Sequence, residues 1–186
     1  MKRKSMLMTA GVAMALAVLV AGVAISAQDR YTVKVPGGLA FSEFKGYETW
    51  QLMSISHNGT KFAAILGNPA MIQALKAGIP DNGKPFPDGV RMAKIHWNPK
   101  TKTTYPGSPL VAGTLHDVDF MVKDSKRFAD SGGWGYGAFE YDDATDIFRP
   151  GNTSDSPPQG NDAKCGFACH TIVKNRDYLF TEFPKR

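Results

Sequence analysis

Apolar and polar positions alternate over several short stretches of the chain, and one much longer apolar run stands apart at its beginning. Residues 47–56, YETWQLMSIS, mix aromatic and β-branched side chains with polar ones, the signature of a half-buried strand. Asn58-Gly59 then predicts a hairpin turn into the apolar run KFAAILG. Asn68 followed by Pro69 reads as an N-cap with proline at the first helical position. The helix continues through AMIQALKA and stops at Gly78. A Gly/Pro-rich loop over 79–89 leads to a strand at Val90–Trp97. Alternation there sets Arg91, Ala93, Ile95 and Trp97 on one face and Met92, Lys94 and His96 on the other. After a loop over 98–109, a strand is expected over 114–122. A short helix, KDSKRFAD, follows, stopped by Gly132-Gly133, and then a strand over Trp134–Tyr141. Residues 28–46, with Pro-Gly-Gly at 36–38, read as an irregular lead-in that wraps the domain. Residues 149–163 have no apolar periodicity and read as a linker. The pattern predicts an α+β domain, mainly antiparallel β-sheet with a few short helices.

The long apolar run, Met6–Ala27, follows Lys2, Arg3 and Lys4 and ends in small residues before Gln28-Asp29-Arg30. This order reads as a secretory signal peptide over residues 1–27. Its apolar region of roughly 19 residues exceeds the usual 7–15, so an uncleaved anchor helix is the alternative. Both put the folded part outside the cytoplasm, and the periplasm is the expected compartment. Residues 28–186 are then a single domain, large enough to bury roughly 68–70% of its unfolded surface.

Charge changes the picture little. The whole chain carries 22 basic and 17 acidic residues, net +5, but three of the basic ones precede residue 28. The remaining +2, with no basic stripe, argues against a nucleic-acid partner.

The two cysteines lie in Cys165-Gly166-Phe167-Ala168-Cys169-His170. Attachment of haem c uses two thiols that add across the vinyl groups, followed directly by a histidine that ligates the iron, usually as C-x-x-C-H. Here three residues intervene, and Gly166 can absorb the extra one in a backbone conformation closed to other residue types. A disulfide between Cys165 and Cys169 is one alternative in an oxidising compartment, but it closes a very small loop and leaves His170 unexplained. A structural zinc site is another. It needs four ligands, and His57, His96 and His116 are scattered singly along the chain.

With these residues in hand, the sequence resembles the cytochrome P-460 family, which includes the beta-type cytochromes c′. The resemblance extends from about Tyr47 to Arg186. It is carried by FACHTIVKNRDYLFT (167–181), MVKDSKRFADSGGWGYGAF (121–139) and FPDGVRMAKIHW (86–97). It implies a small, mostly β, commonly homodimeric exported protein. One covalent haem c would be held by Cys165 and Cys169, with His170 as proximal ligand to the iron. It further implies that Lys94 is the lysine joined to the haem edge in cytochromes P-460, and that the opposite iron face is open, with Phe139 as a distal wall, for which aromatic core packing is the alternative. The activity implied is oxidation of hydroxylamine and processing of nitric oxide, with electrons passed to a soluble acceptor. Nitric oxide binding without turnover, as in the beta-type cytochromes c′, is the alternative. Electron transfer with a sixth ligand drawn from Met53, Met71, Met92, Met121 or His96 is a third reading.

Overall fold

The computed structural model describes residues 28–35, 39–151 and 166–185. The segment 1–27, Pro-Gly-Gly at 36–38, most of the 149–163 linker and Cys165 lie outside the described residues. The organising element is one six-stranded antiparallel sheet whose strands follow chain order: β1 (Gln51–His57), β2 (Phe62–Gly67), β3 (Arg91–Thr101), β4 (Leu110–Lys123), β5 (Trp134–Asp142) and β6 (Ile147–Pro150). The Asn58-Gly59 hairpin forms as its sequence predicts. The Asn58 carboxamide accepts from the amides of Thr60 and Lys61, and Gly59 takes φ 89°. Helix α1 (Pro69–Lys76) also forms, with the Asn68 side chain accepting from the Met71 amide at 2.9 Å.

Three local expectations are corrected. Tyr47–Thr49 is a 3-10 turn rather than strand, because Gly46 adopts φ 83° and turns the Tyr47 ring into the core. The helix expected over 123–130 does not form. Lys123 still belongs to β4, pairing with Trp134, and Asp124 ties the next amides into a turn by accepting from Lys126 and Arg127. Only Ala129–Ser131 is helical there, as a 3-10 turn. Finally, β3 runs on to Thr101, into the expected 98–109 loop, β4 begins at Leu110 rather than at 114, and β6 is an added edge strand.

Side-chain alternation gives the sheet two different faces. One is covered by the lead-in, whose Leu39, Phe41, Phe44 and Tyr47 pack on Ala93, Val118, Phe120, Val122, Phe139 and Phe148. The other is covered by α1 and the C-terminal tail, with Met53, Ile65, Met71, Met92, Met121, Trp134, Tyr136 and Leu179 buried between them. The tail holds a four-residue helix α2 (Phe167–His170) and a 3-10 stretch, Thr171–Arg176.

Candidate haem site

Seven side chains, in two rows that cross neighbouring strands, make the floor of the site. In one row Ile65 pairs with Lys94, Lys94 with Asp119, and Asp119 with Ala138. In the adjacent row Met92 pairs with Met121 and Met121 with Tyr136. The tail supplies the facing wall from Gly166, Cys169, His170, Leu179 and Phe180. Floor and wall enclose a cleft of about 340 Å³.

His170 reaches this position because Gly166 starts α2 at φ 85°, and the His170 amide donates to the Gly166 carbonyl at 3.0 Å. An added Cβ at Gly166 would make only ordinary contacts, so glycine is needed there for its left-handed backbone rather than for space. The imidazole packs 5.0 Å from both Tyr136 and Phe180, centroid to centroid. Its Nδ1 lies 2.7 Å from the Tyr178 carbonyl oxygen. A carbonyl can only accept, so Nδ1 carries the proton, and in the neutral ring the lone pair belongs to Nε2. Burial lowers the His170 pKa, outweighing the carbonyl bond, and the charge of Lys94 lowers it further. The ring is thus neutral and presents a metal-ligating nitrogen at ordinary pH.

Lys94 and Asp119 are the charged residues of the cleft. The Asp119 side chain keeps 45% of its surface open. Desolvation by its surroundings and repulsion from Asp117 nevertheless push its carboxyl up to about 6, against the opposing charges of His96 and Lys94. Behind it lies a polar cluster that the linear sequence scatters. The His96 ring nitrogen Nδ1 hydrogen-bonds the Asp117 carboxylate and stands 3.8 Å from Asp119. The His116 Nδ1 meets the other Asp117 oxygen at 2.5 Å. A register shift opposite His96–Trp97 leaves His116 as the extra residue of a bulge, a device that re-aims side chains. Burial alone would raise Asp117, but the two histidine hydrogen bonds outweigh it and hold its carboxyl below the usual range.

The residues present fit a haem. A thiol and an imidazole line one cleft whose other walls are largely apolar. The Tyr136 hydroxyl on its floor is buried without a hydrogen-bond partner among the described residues, the kind of orphan that a bound polar group satisfies. Burial, with the nearby Tyr178 and Asp177, raises the pKa of this hydroxyl, so it stays protonated as a donor.

Of the residues singled out from sequence, Lys94, Cys169 and His170 line the cleft, while Cys165 lies outside the described residues. Phe139 does not line it. Its ring is fully buried in the aromatic core on the opposite face, 5.0 Å from Phe41 and 5.7 Å from Phe120. The parity of β5 explains this, since Tyr136 and Ala138 point to the cleft and Phe139 must point away. Met92 and Met121 line the cleft, whereas Met53 on β1 and Met71 on α1 are buried in the core between helix and sheet, and His96 is committed to Asp117. Asp119 and Tyr136 were missed. The Lys94 parity argument, extended across the sheet, could have found both.

No curated protein sequence matches the chain. The family model for cytochrome P460 matches residues 44–181, most of the chain. The cleft with its thiol and imidazole, and the sheet that carries it, are therefore those of a c-type haem protein with iron, and the chain belongs to the cytochrome P460 family.

Proposed function

We propose that this protein is an exported mono-haem cytochrome that oxidises hydroxylamine, processes nitric oxide and passes electrons to a soluble acceptor. In this reading Cys165 and Cys169 form the thioethers, His170 is the proximal ligand through Nε2, and Lys94 is joined to the haem edge. The observation that carries the reading is the pairing of Lys94 with Asp119 in the cleft that also holds His170. Bound there, the haem supplies an electron sink and an open iron position for a small nitrogenous ligand. Oxidation of hydroxylamine releases protons, so the site needs a base. The Asp119 carboxylate, with its pKa pushed up to about 6, is suited to take a proton at its Oδ atoms and return it to solvent. Lys94 can form a carbon–nitrogen bond only as the neutral amine. Ile65, Met92 and Leu179 keep the remaining lining apolar, which favours small uncharged ligands over ions.

Export rests on the basic and apolar leader of residues 1–27. A homodimer is supported by the edge strand β1, which exposes Leu52 and Ile55, the latter by 72%.

The test is intact mass of the denatured, exported protein together with oxidised and reduced absorption and a hydroxylamine assay. A one-haem increment that survives denaturation, a strongly red-shifted ferrous Soret band and turnover are expected. An ordinary ferrous spectrum with nitric oxide binding and no turnover would replace this reading with gas binding. A low-spin spectrum blocked to added ligands would replace it with electron transfer. A mass two hydrogens light with no haem would mean a Cys165–Cys169 disulfide.

A further inference from the structure

The segment that returns from His170 to the sheet contains two consecutive non-glycine residues in the left-handed region, Asp177 at φ 46° and Tyr178 at φ 66°. Such a pair persists only where its surroundings hold it. The Asp177 carboxylate is gripped by four hydrogen bonds. Lys123 Nζ donates to both oxygens, at 2.7 and 3.0 Å, the Phe86 amide donates at 2.7 Å, and Trp134 Nε1 donates at 3.4 Å. Lys123 is itself 6% exposed, with a third bond to the Gly132 carbonyl at 3.0 Å, and its ammonium lies 5.0 Å from the centre of the Trp134 ring. Tyr178 closes the arrangement by packing on Gly132, where an added Cβ would come within 2.3 Å of its ring.

We propose that Asp177 and Lys123 form a clasp that positions His170. The clasp fixes the Tyr178 carbonyl that accepts the hydrogen bond from His170 Nδ1–H, and so sets the orientation and donor strength of the imidazole. This rests on the reading that His170 ligates the iron. Lys123 ends β4 and pairs with Trp134 at the start of β5, so the anchor belongs to the rigid sheet rather than to the tail. The physical path runs from the sheet through Lys123 and Asp177 to the Tyr178 carbonyl, and from there across 2.7 Å to the ring. A buried ion pair is a poor source of stability, because the desolvation of both charges offsets their attraction. What this one does is hold a strained turn in one place. A hydrogen bond at the far nitrogen of a metal-bound histidine makes it a stronger donor to the metal, and that is the quantity the clasp controls.

The test uses the haem-loaded protein in the ferrous state and reads the iron–imidazole stretching band by resonance Raman, with the haem midpoint potential alongside. The double variant Lys123→Met/Asp177→Asn removes both charges together and leaves no unpaired ammonium. It is expected to retain covalent haem, move the band to lower frequency and raise the potential. Lys123→Arg, which keeps the cation, is expected to leave both near the original values. Should the double variant fail to accumulate, Asp177→Glu gives the same reading, since one added methylene displaces the Tyr178 carbonyl while keeping the charge. A wild-type band that neither Lys123→Met/Asp177→Asn nor Asp177→Glu moves overturns the clasp alone. A wild-type protein with no such band overturns the assignment of His170, and the clasp with it.

Discussion

The two faces of the sheet are built from the same six strands, yet they are packed by different rules. On the lead-in side, Phe41 stands at the centre of an aromatic cluster, 4.9 Å from Phe148, 5.0 Å from Phe139 and 5.2 Å from Phe120, and Phe44 stacks on Phe120 at 4.1 Å. These rings are buried completely or nearly so. On the tail side the strands present Ile65, Met92, Lys94, Asp119, Met121 and Ala138, and the wall opposite them stands off to leave a cleft. Adjacent residues along one strand thus serve opposite ends. Phe120 fills the core while its neighbour Asp119 faces the cleft, and Ala93 is buried while Lys94 is not. The lead-in face is packed throughout, while the tail face combines a buried cluster with the cleft, so substitutions in the aromatic core and in the cleft should separate cleanly.

The largest expected effect tests the closed face. Phe41→Ala removes the central ring and should cost about 3–5 kcal/mol of folding free energy. Denaturant unfolding would measure this, with the haem spectrum of the surviving folded protein unchanged. A spectral change accompanying the loss would break the separation of the two faces.

Asp119→Asn is the complementary change on the cleft. Hydroxylamine turnover should fall by roughly 10²–10⁴-fold, as for loss of a general base, while nitric oxide binding persists. With Asp119 intact, the rate should rise as pH increases through about 6, because only the ionised carboxylate accepts a proton. Stability should run the other way. The folded-state pKa lies above that of the unfolded chain, so the contribution of Asp119 is greatest below about 4 and is lost as pH rises through about 6. A pH series of unfolding midpoints for the protein and its Asn variant would reveal this, and parallel curves would sink the assignment.

His170→Ala should abolish the iron–imidazole band while the thioether-linked haem mass remains, and retention of the band would remove His170 from the site. The smallest effect on folding is expected from Lys94→Leu, within about 0.5 kcal/mol for a partly exposed strand position. Its absorption spectrum should nonetheless lose the ferrous red shift. An unchanged spectrum would mean that no bond joins Lys94 to the haem.

Much of this protein is legible in short stretches of its sequence, because the interactions concerned are local. The Asn68-Pro69 cap, the Asn58-Gly59 turn, the left-handed Gly166 and the parity of Met92 and Lys94 each depend on a few neighbouring residues. The cysteine-histidine motif is equally local, since two thiols and a ligand must reach one flat cofactor. Where local rules failed, a distant partner had decided the outcome. Lys123 and its neighbours have a helical pattern, but Lys123 pairs with Trp134 across the sheet and its ammonium is claimed by Asp177, 54 residues away. Phe139 resembles a distal wall in one dimension, and only the packing of the lead-in against its face makes it core. Strand alternation says that two faces exist but not which layer will cover each, because that choice is set by burial of surface contributed by remote segments. The same reason put the Tyr178 carbonyl beyond sequence reading, since its role arises only when the tail closes over the sheet.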